Sequence, residues 1–208
     1  MSFVTYMSFI VTCFIIEATP GPNMAYLAVL SADQGRKAGF AATIGIALGL
    51  FTVGFATALG IGALILNSEI AYQGLRIGGI LYLLWLAWDS WKEETEAYPV
   101  KCGSFEKHAK YFKRGLVVNL LNPKAALFYI AILPTYISSS SSAIFQAIIL
   151  TITYVAIATI MHSIIVMLAG TAQNFLEDPH KRIITRRILS LALAAIALWF
   201  AWSTHKIG

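Results

Sequence analysis

The chain has 208 residues, 58% of them hydrophobic and only 12% charged, with a mean hydropathy of +0.73. That balance excludes an ordinary soluble domain and indicates an integral membrane protein. The net charge of +5 calls for no nucleic-acid partner, because the basic residues collect in particular loops, where they report topology.

The apolar runs exceed the ~18 residues of a spanning candidate and lack the alternation of an outer-membrane barrel, so the predicted class is all-α. The first segment, Phe3 to Leu30, would be about 40 Å long if straight, against a hydrocarbon core of about 30 Å. Within it lies Glu17-Ala18-Thr19-Pro20-Gly21-Pro22-Asn23. Each proline lacks an N–H and clashes with the carbonyl four residues back, so a break is expected that frees the carbonyls of Ile16 and Ala18, with Gly21 permitting a sharp bend. The segment has neither a basic n-region nor a small-residue cleavage site, so a removable signal is not expected.

A polar loop from Ser31 to Lys37 leads to the second segment, Ala38 to Leu66, where Gly39, Gly45, Gly49, Gly54, Gly60 and Gly62 predict a face that another helix approaches closely. Asn67-Ser68-Glu69 connects it to the third segment, Leu75 to Trp91, with Gly78-Gly79 and the aromatic cluster Tyr82, Trp85, Trp88 and Trp91. The long polar stretch from Lys92 to Arg114 reads as an exposed loop with some helix. The fourth segment, Gly115 to Ile137, carries a second break, Asn119-Leu120-Leu121-Asn122-Pro123-Lys124, where Pro123 frees the carbonyl of Asn119. Ser138 to Ser142 form an uncharged linker. The fifth segment is Ile144 to Ala169, and a basic loop with His180, Lys181, Arg182, Arg186 and Arg187 precedes the sixth, Ile188 to Trp202.

Lys and Arg crowd the loops after segments one, three and five and are nearly absent after two and four, so the odd-numbered loops are expected in the cytoplasm and both termini in the periplasm. A re-entrant first segment, with five spans and the N-terminus inside, is the alternative. Three spans per half make any internal repeat an inverted one. The predicted architecture is a polytopic membrane protein of six transmembrane helices in two inverted three-helix repeats, with helices 1 and 4 broken. It forms one transporter domain over 1–208: repeat one over 1–91, a cytoplasmic loop over 92–114 and repeat two over 115–208. Superimposing Pro22 on Pro123, and Arg76 on Arg187, aligns the two halves weakly. Paired interrupted helices, one in each half, point to a transporter binding site between them.

A charge inside a bilayer costs at least ~2.5 kcal/mol and needs a partner, a cavity or a role. Glu17 is a candidate proton carrier or partner of a cation, against the plainer reading that it caps the helix after Pro20. Lys124 is a candidate for holding a carboxylate or pairing with Glu17, against a snorkelling side chain. Asn23, Asn119 and Asn122 suit a zwitterion, or simply satisfy freed carbonyls. His162 is a candidate proton relay or a neutral interhelical histidine. Asp89 is a further proton-coupling candidate, against a pairing with Lys92 one turn on. Cys13 and Cys102 form neither a CxxC nor a metal-ligand spacing, and no metal or other cofactor is implied.

Together, Thr19-Pro20-Gly21-Pro22-Asn23, Gly45 with Gly49, Gly78-Gly79-Ile80-Leu81-Tyr82-Leu83, and the run from Phe112 through Asn119, Asn122, Pro123 and Lys124 to Ala125 resemble the LysE/RhtB family of bacterial amino-acid exporters. The resemblance covers nearly the whole chain. It implies a small multi-pass exporter in the bacterial inner membrane, not an enzyme, which expels amino acids or close analogues using the proton gradient. Its expected partners are the amino acid, protons and membrane lipid, with a homo-oligomer left open. The substrate site is expected at Glu17, Pro20, Gly21, Pro22, Asn23, Asn119, Asn122, Pro123 and Lys124, and proton coupling at Glu17, His162 and Asp89. An exporter of metal ions or other cations is the alternative, although the ligand spacing it needs is not seen. A membrane-embedded redox or hydrolytic enzyme would need paired cysteines or a nucleophile beside its base, and Ser163 next to His162 on a helix points elsewhere.

Overall fold

Ser2 opens the first helix, α1 (Phe3–Ala18), by accepting the N–H of Thr5 at 3.1 Å. The computed structural model describes residues 1–59, 68–92, 104–138, 142–171 and 179–205. After Thr19 and Pro20 the chain restarts as α2 (Pro22–Gln34), bent 56° from α1. Pro22 stands at the first position of α2, where a missing N–H costs nothing. Pro123 does the same at the second break, opening α6 (Pro123–Leu127) behind α5 (Ser104–Leu120), with a bend of 51°. α6 continues through a π turn, Phe128–Ile132, and a 3-10 turn, Leu133–Tyr136. Pro134, which has no N–H, sits in that last turn, an irregularity the sequence reading did not single out.

The polar run from Ser31 to Lys37 is not a loop. α2 continues to Gln34, Gly35 turns the chain with a φ of 85°, and α3 (Arg36–Ala58) begins at once. A positive φ suits glycine, and one such residue reverses the direction without a longer connection. α4 (Glu69–Lys92) likewise starts earlier than expected, with Ser68 Oγ accepting the N–H of Ala71. The remaining helices are α7 (Ala143–Ala169) and α8 (Pro179–His205). The expected polar stretch from Lys92 to Arg114 is helical from Ser104 onward. Gly60, Gly62 and the rest of 60–67, the span 93–103 with Cys102, residues 139–141, and the side chains of His180, Lys181, Arg182 and Arg186 lie outside the described residues.

α3, α4 and α7 are each long and apolar enough to cross a membrane, and the two bent pairs, each a broken span or a re-entrant loop, bring the candidates among the described residues to as many as five. α8 carries a shorter apolar stretch at Arg187–Trp199. The protein is an all-α, multi-pass membrane protein. Trp85, Trp88, Trp91, Trp199 and Trp202 are exposed, which suits a lipid-facing belt.

Corresponding helices of the two halves run antiparallel. Thr12 meets Tyr136 and Asn23 meets Asn119, so the broken spans run antiparallel to each other. Gly39 lies against Val166 and Gly54 against Thr151, which makes α3 and α7 antiparallel, and Arg76 with Ala201 and Arg187 with Trp91 do so for α4 and α8. Each broken span also packs on the middle helix of the other half. α1 follows α7 through Tyr6 with Thr153 and Glu17 with His162, and α5 follows α3 through Gly115 with Ala42 and Asn119 with Gly49.

The expected glycine face on α3 is where α5 approaches. A Cβ on Gly45 would stand 2.1 Å from the Phe112 carbonyl oxygen, and one on Gly49 2.8 Å from the Asn119 side chain. Gly79 of α4 similarly leaves room for the carbonyl of Leu121, inside the second break. These contacts bring backbone close to backbone, so the helices gain packing without a hydrophobic drive between them.

Candidate functional site

The two breaks come together. Lys124, in the first turn of α6, reaches back to the end of α1, where its ammonium donates to the carbonyls of Ile16 at 2.7 Å and Thr19 at 2.6 Å. The Ile16 carbonyl also takes the N–H of Thr19, at 3.1 Å. A cation on the last carbonyls of a helix satisfies orphan acceptors and complements the negative end of the dipole. Lys124 is therefore neither snorkelling nor paired with Glu17: it fastens one broken span to the other. At the second break the carbonyl of Asn119 is closed by the N–H of Asn122 at 3.0 Å.

Asn122 caps α6, its Oδ1 accepting the N–H of Lys124 at 3.0 Å. Asn23 Nδ2 donates to Asn119 Oδ1 at 2.9 Å, in a setting where Asn119 is fully buried. That pair leaves Asn23 Oδ1 and Asn119 Nδ2 buried without a partner among the described residues. An unmet carbonyl and an unmet amide side by side cost free energy until something polar reaches them.

Glu17 does not cap α2, whose N-cap, Gly21, makes no side-chain bond. Its carboxylate turns to α7. Oε1 accepts the hydroxyl of Tyr154 at 2.6 Å, and Oε2 stands 3.4 Å from His162 Nε2, within ion-pair range though not a formed hydrogen bond. Glu17, Tyr154 and His162 are all buried. Phe128, in the π turn, stacks on Tyr154 with ring centroids 3.7 Å apart and so fixes the hydroxyl. Tyr154 was missed in the sequence. The available signal was its place eight residues before His162, on the same face of one helix.

Between these groups lies a small cavity of about 10 Å3, the room of about one water. Gly21, Asn23 and Met24 from the start of α2, and Asn122, Lys124 and Ala125 from the start of α6, line it together with Glu17, Tyr154 and His162. Two half-helices thus begin on one cavity. Their positive dipole ends favour an anion there, opposite a buried carboxylate that favours a cation.

Of the residues expected at the site, Pro22 and Pro123 shape its backbone as the opening residues of α2 and α6, and Pro20 lies in the linker just before α2. Asp89 is elsewhere, at the far end of α4, bonded to Arg114 of α5 and not to Lys92, which lies over the Trp88 ring. Among the described residues no group of three His, Cys, Asp or Glu side chains is arranged to hold a metal ion.

A family model described as LysE type translocator matches residues 14–204. The chain is 31% identical to the leucine efflux protein of Enterobacter sp. (strain 638) over 138 residues, which is 66% of this chain and 65% of that protein. It is 25% identical to the homoserine/homoserine lactone efflux protein of Salmonella typhi over 179 residues, covering 86% of this chain and 87% of that one. No solved structure matches it significantly.

Proposed function

The chain belongs to the LysE type translocator family, and on that footing we propose that it is a secondary active exporter of amino acids or close analogues, driven by the proton gradient through alternating access. The observation that carries this reading is the central cavity, where two proline-opened half-helices face the carboxylate of Glu17. The starts of α2 and α6, with Asn23, Asn122 and Lys124, take the substrate carboxylate. The ionised carboxylate of Glu17 takes the ammonium. To serve the carboxylate, Lys124 leaves the carbonyls of Ile16 and Thr19, and these become acceptors for the ammonium.

A proton and an ammonium compete for Glu17, which makes the exchange obligatory. Protonation of Glu17 from outside neutralises the group that holds the ammonium and expels the substrate. The protonated site then turns inward and loses its proton to the cytoplasm, with His162 as relay. The closed cavity holds about one water, so an amino acid enters only when the broken spans part. Each cycle moves the two half-helix starts relative to α7, as rocking of one repeat against the other does.

The relatives' names make L-leucine and L-homoserine the first probes. Purified protein in liposomes is expected to move one of them against its gradient when a proton gradient opposes it, and to stop on addition of an uncoupler. Transport indifferent to the uncoupler removes the proton from the mechanism. The membrane is proposed to be the bacterial inner membrane with both termini outside. A cysteine in place of Ser2 is then labelled by an impermeant thiol reagent from the periplasm, and labelling from the cytoplasm alone refutes that orientation.

A further inference from the structure

A second cavity lies beside the first, toward the end where α2 and α4 finish and α5 and α8 begin, with Val29, Leu30, Leu86 and Leu193 in its wall. Its volume is about 30 Å3, room for about two waters. Its polar lining is Tyr26, Asp33, Gln34, Ser90, Tyr111 and Arg114. Tyr26 is one turn beyond Asn23 on α2, and Arg114 is five residues before Asn119 on α5, so the two cavities are separated by only about 5–8 Å along each helix. The orientation proposed above makes this the cytoplasmic end.

Two features suit this cavity to a carboxylate. Arg114 presents a guanidinium whose side chain is 14% exposed, held over the Trp85 ring and bonded to Asp89, whose own side chain is 31% exposed. The Tyr26 hydroxyl is buried, and it has no hydrogen-bond partner among the described residues. A guanidinium matches a carboxylate in geometry, and an unmet hydroxyl on a residue of the same cavity is a further donor. Asp33 also lines the cavity. Asp33 and Gln34 are tied to α5 by a chain in which Tyr111 donates to Gln34 and Gln34 to Asp33, at 3.1 and 2.6 Å.

We propose that this cavity is a second amino-acid subsite, where Arg114 and the Tyr26 hydroxyl take the carboxylate of an arriving zwitterion and Asp89 is the resting counter-ion that the carboxylate replaces. The inference rests on the exporter reading and deepens it. Asp89 then tunes access to Arg114 and does not carry the coupled proton. Displacement of Asp89 frees α4 from α5 at this end, which opens the way toward Asn119 and the central cavity.

The test measures transport of L-leucine and L-homoserine in inverted and right-side-out vesicles, with folding followed by size-exclusion profile. Arg114→Gln is expected to raise KM tenfold or more for substrate presented at the cytoplasmic face, and Tyr26→Phe by severalfold. KM at the other face stays within twofold. Asp89→Asn is expected to lower the cytoplasmic KM, since it removes the competitor for Arg114. A merely structural ion pair would make Asp89→Asn and Arg114→Gln fail alike at both faces, and that result overturns the proposal. If Arg114→Gln does not fold, the opposite signs for Tyr26→Phe and Asp89→Asn decide it. Wild-type protein that moves neither probe overturns the exporter reading and the subsite with it; wild-type transport with unchanged KM in all three variants overturns the subsite alone.

Discussion

Replacing Glu17 by Gln removes a charge and a titrating proton while keeping the shape that Tyr154 and His162 surround. The amide oxygen still accepts the Tyr154 hydroxyl now 2.6 Å from Oε1, but as a neutral acceptor, so the folded state loses only about 1 kcal/mol. Transport loses far more. Each proton exchanged supplies about 1.4 kcal/mol per pH unit, a tenfold accumulation ratio, and an amide exchanges none. The ammonium of the substrate also loses its counter-charge. At about 4 Å and an effective dielectric constant near 20 that attraction is at most ~4 kcal/mol, and desolvation reduces it to a 10- to 100-fold rise in KM. The assay is accumulation of labelled leucine or homoserine in proteoliposomes with and without a proton gradient. Glu17→Gln is expected to equilibrate substrate across the membrane slowly and never to concentrate it. Gradient-driven accumulation equal to that of the wild type would refute the role given to Glu17.

Tyr154→Phe removes the donor to Glu17 Oε1 and leaves the ring stacked on Phe128. A hydrogen bond to a charged group contributes about 1.5–3 kcal/mol, so the folded state is expected to lose about that much in thermal unfolding and coupled efflux to fall 10- to 100-fold. Lys124→Ala strips the ammonium from the carbonyls of Ile16 and Thr19. It is expected to destabilise the protein by about 2 kcal/mol in thermal unfolding and to raise KM, and an unchanged KM would confine Lys124 to structure. Gly45→Val places a Cβ 2.1 Å from a backbone oxygen that has no rotamer to escape into, and is expected to cost about 3 kcal/mol or to abolish the monodisperse fraction. Gly74→Ala is the control: nothing lies within 4 Å of its Cβ, so helix propensity alone should stabilise α4 by up to ~1 kcal/mol.

Much of the architecture is written in local sequence. Long apolar runs require helices, because the bilayer leaves backbone groups no other partner. Pro20, Gly21, Pro22 and Pro123 mark where those helices stop and restart, since proline removes a donor wherever it stands. Gly45 and Gly49 announce a close approach, because only a missing side chain allows one. The loop assigned to Ser31 through Lys37 failed for a local reason as well: polar residues resembled a connection, although Gly35 alone makes the turn and Ser31 and Asp33 are buried on a helix.

Which groups meet across the molecule was decided only by tertiary structure. Glu17 was visible as a charge needing a partner, yet nothing near it in the chain pointed to Tyr154, 137 residues away. Lys124 was visible too, but its use as a clamp on α1 depends on two spans lying antiparallel with their breaks level. Asp89 had a cation within one turn, and packing of α4 on α5 gave it Arg114 instead. Proline, glycine and hydropathy act through a residue's own backbone and its immediate solvent, so one chain position is enough to read them. A hydrogen bond or an ion pair needs two side chains at one point in space, and only the packing of the helices determines which two.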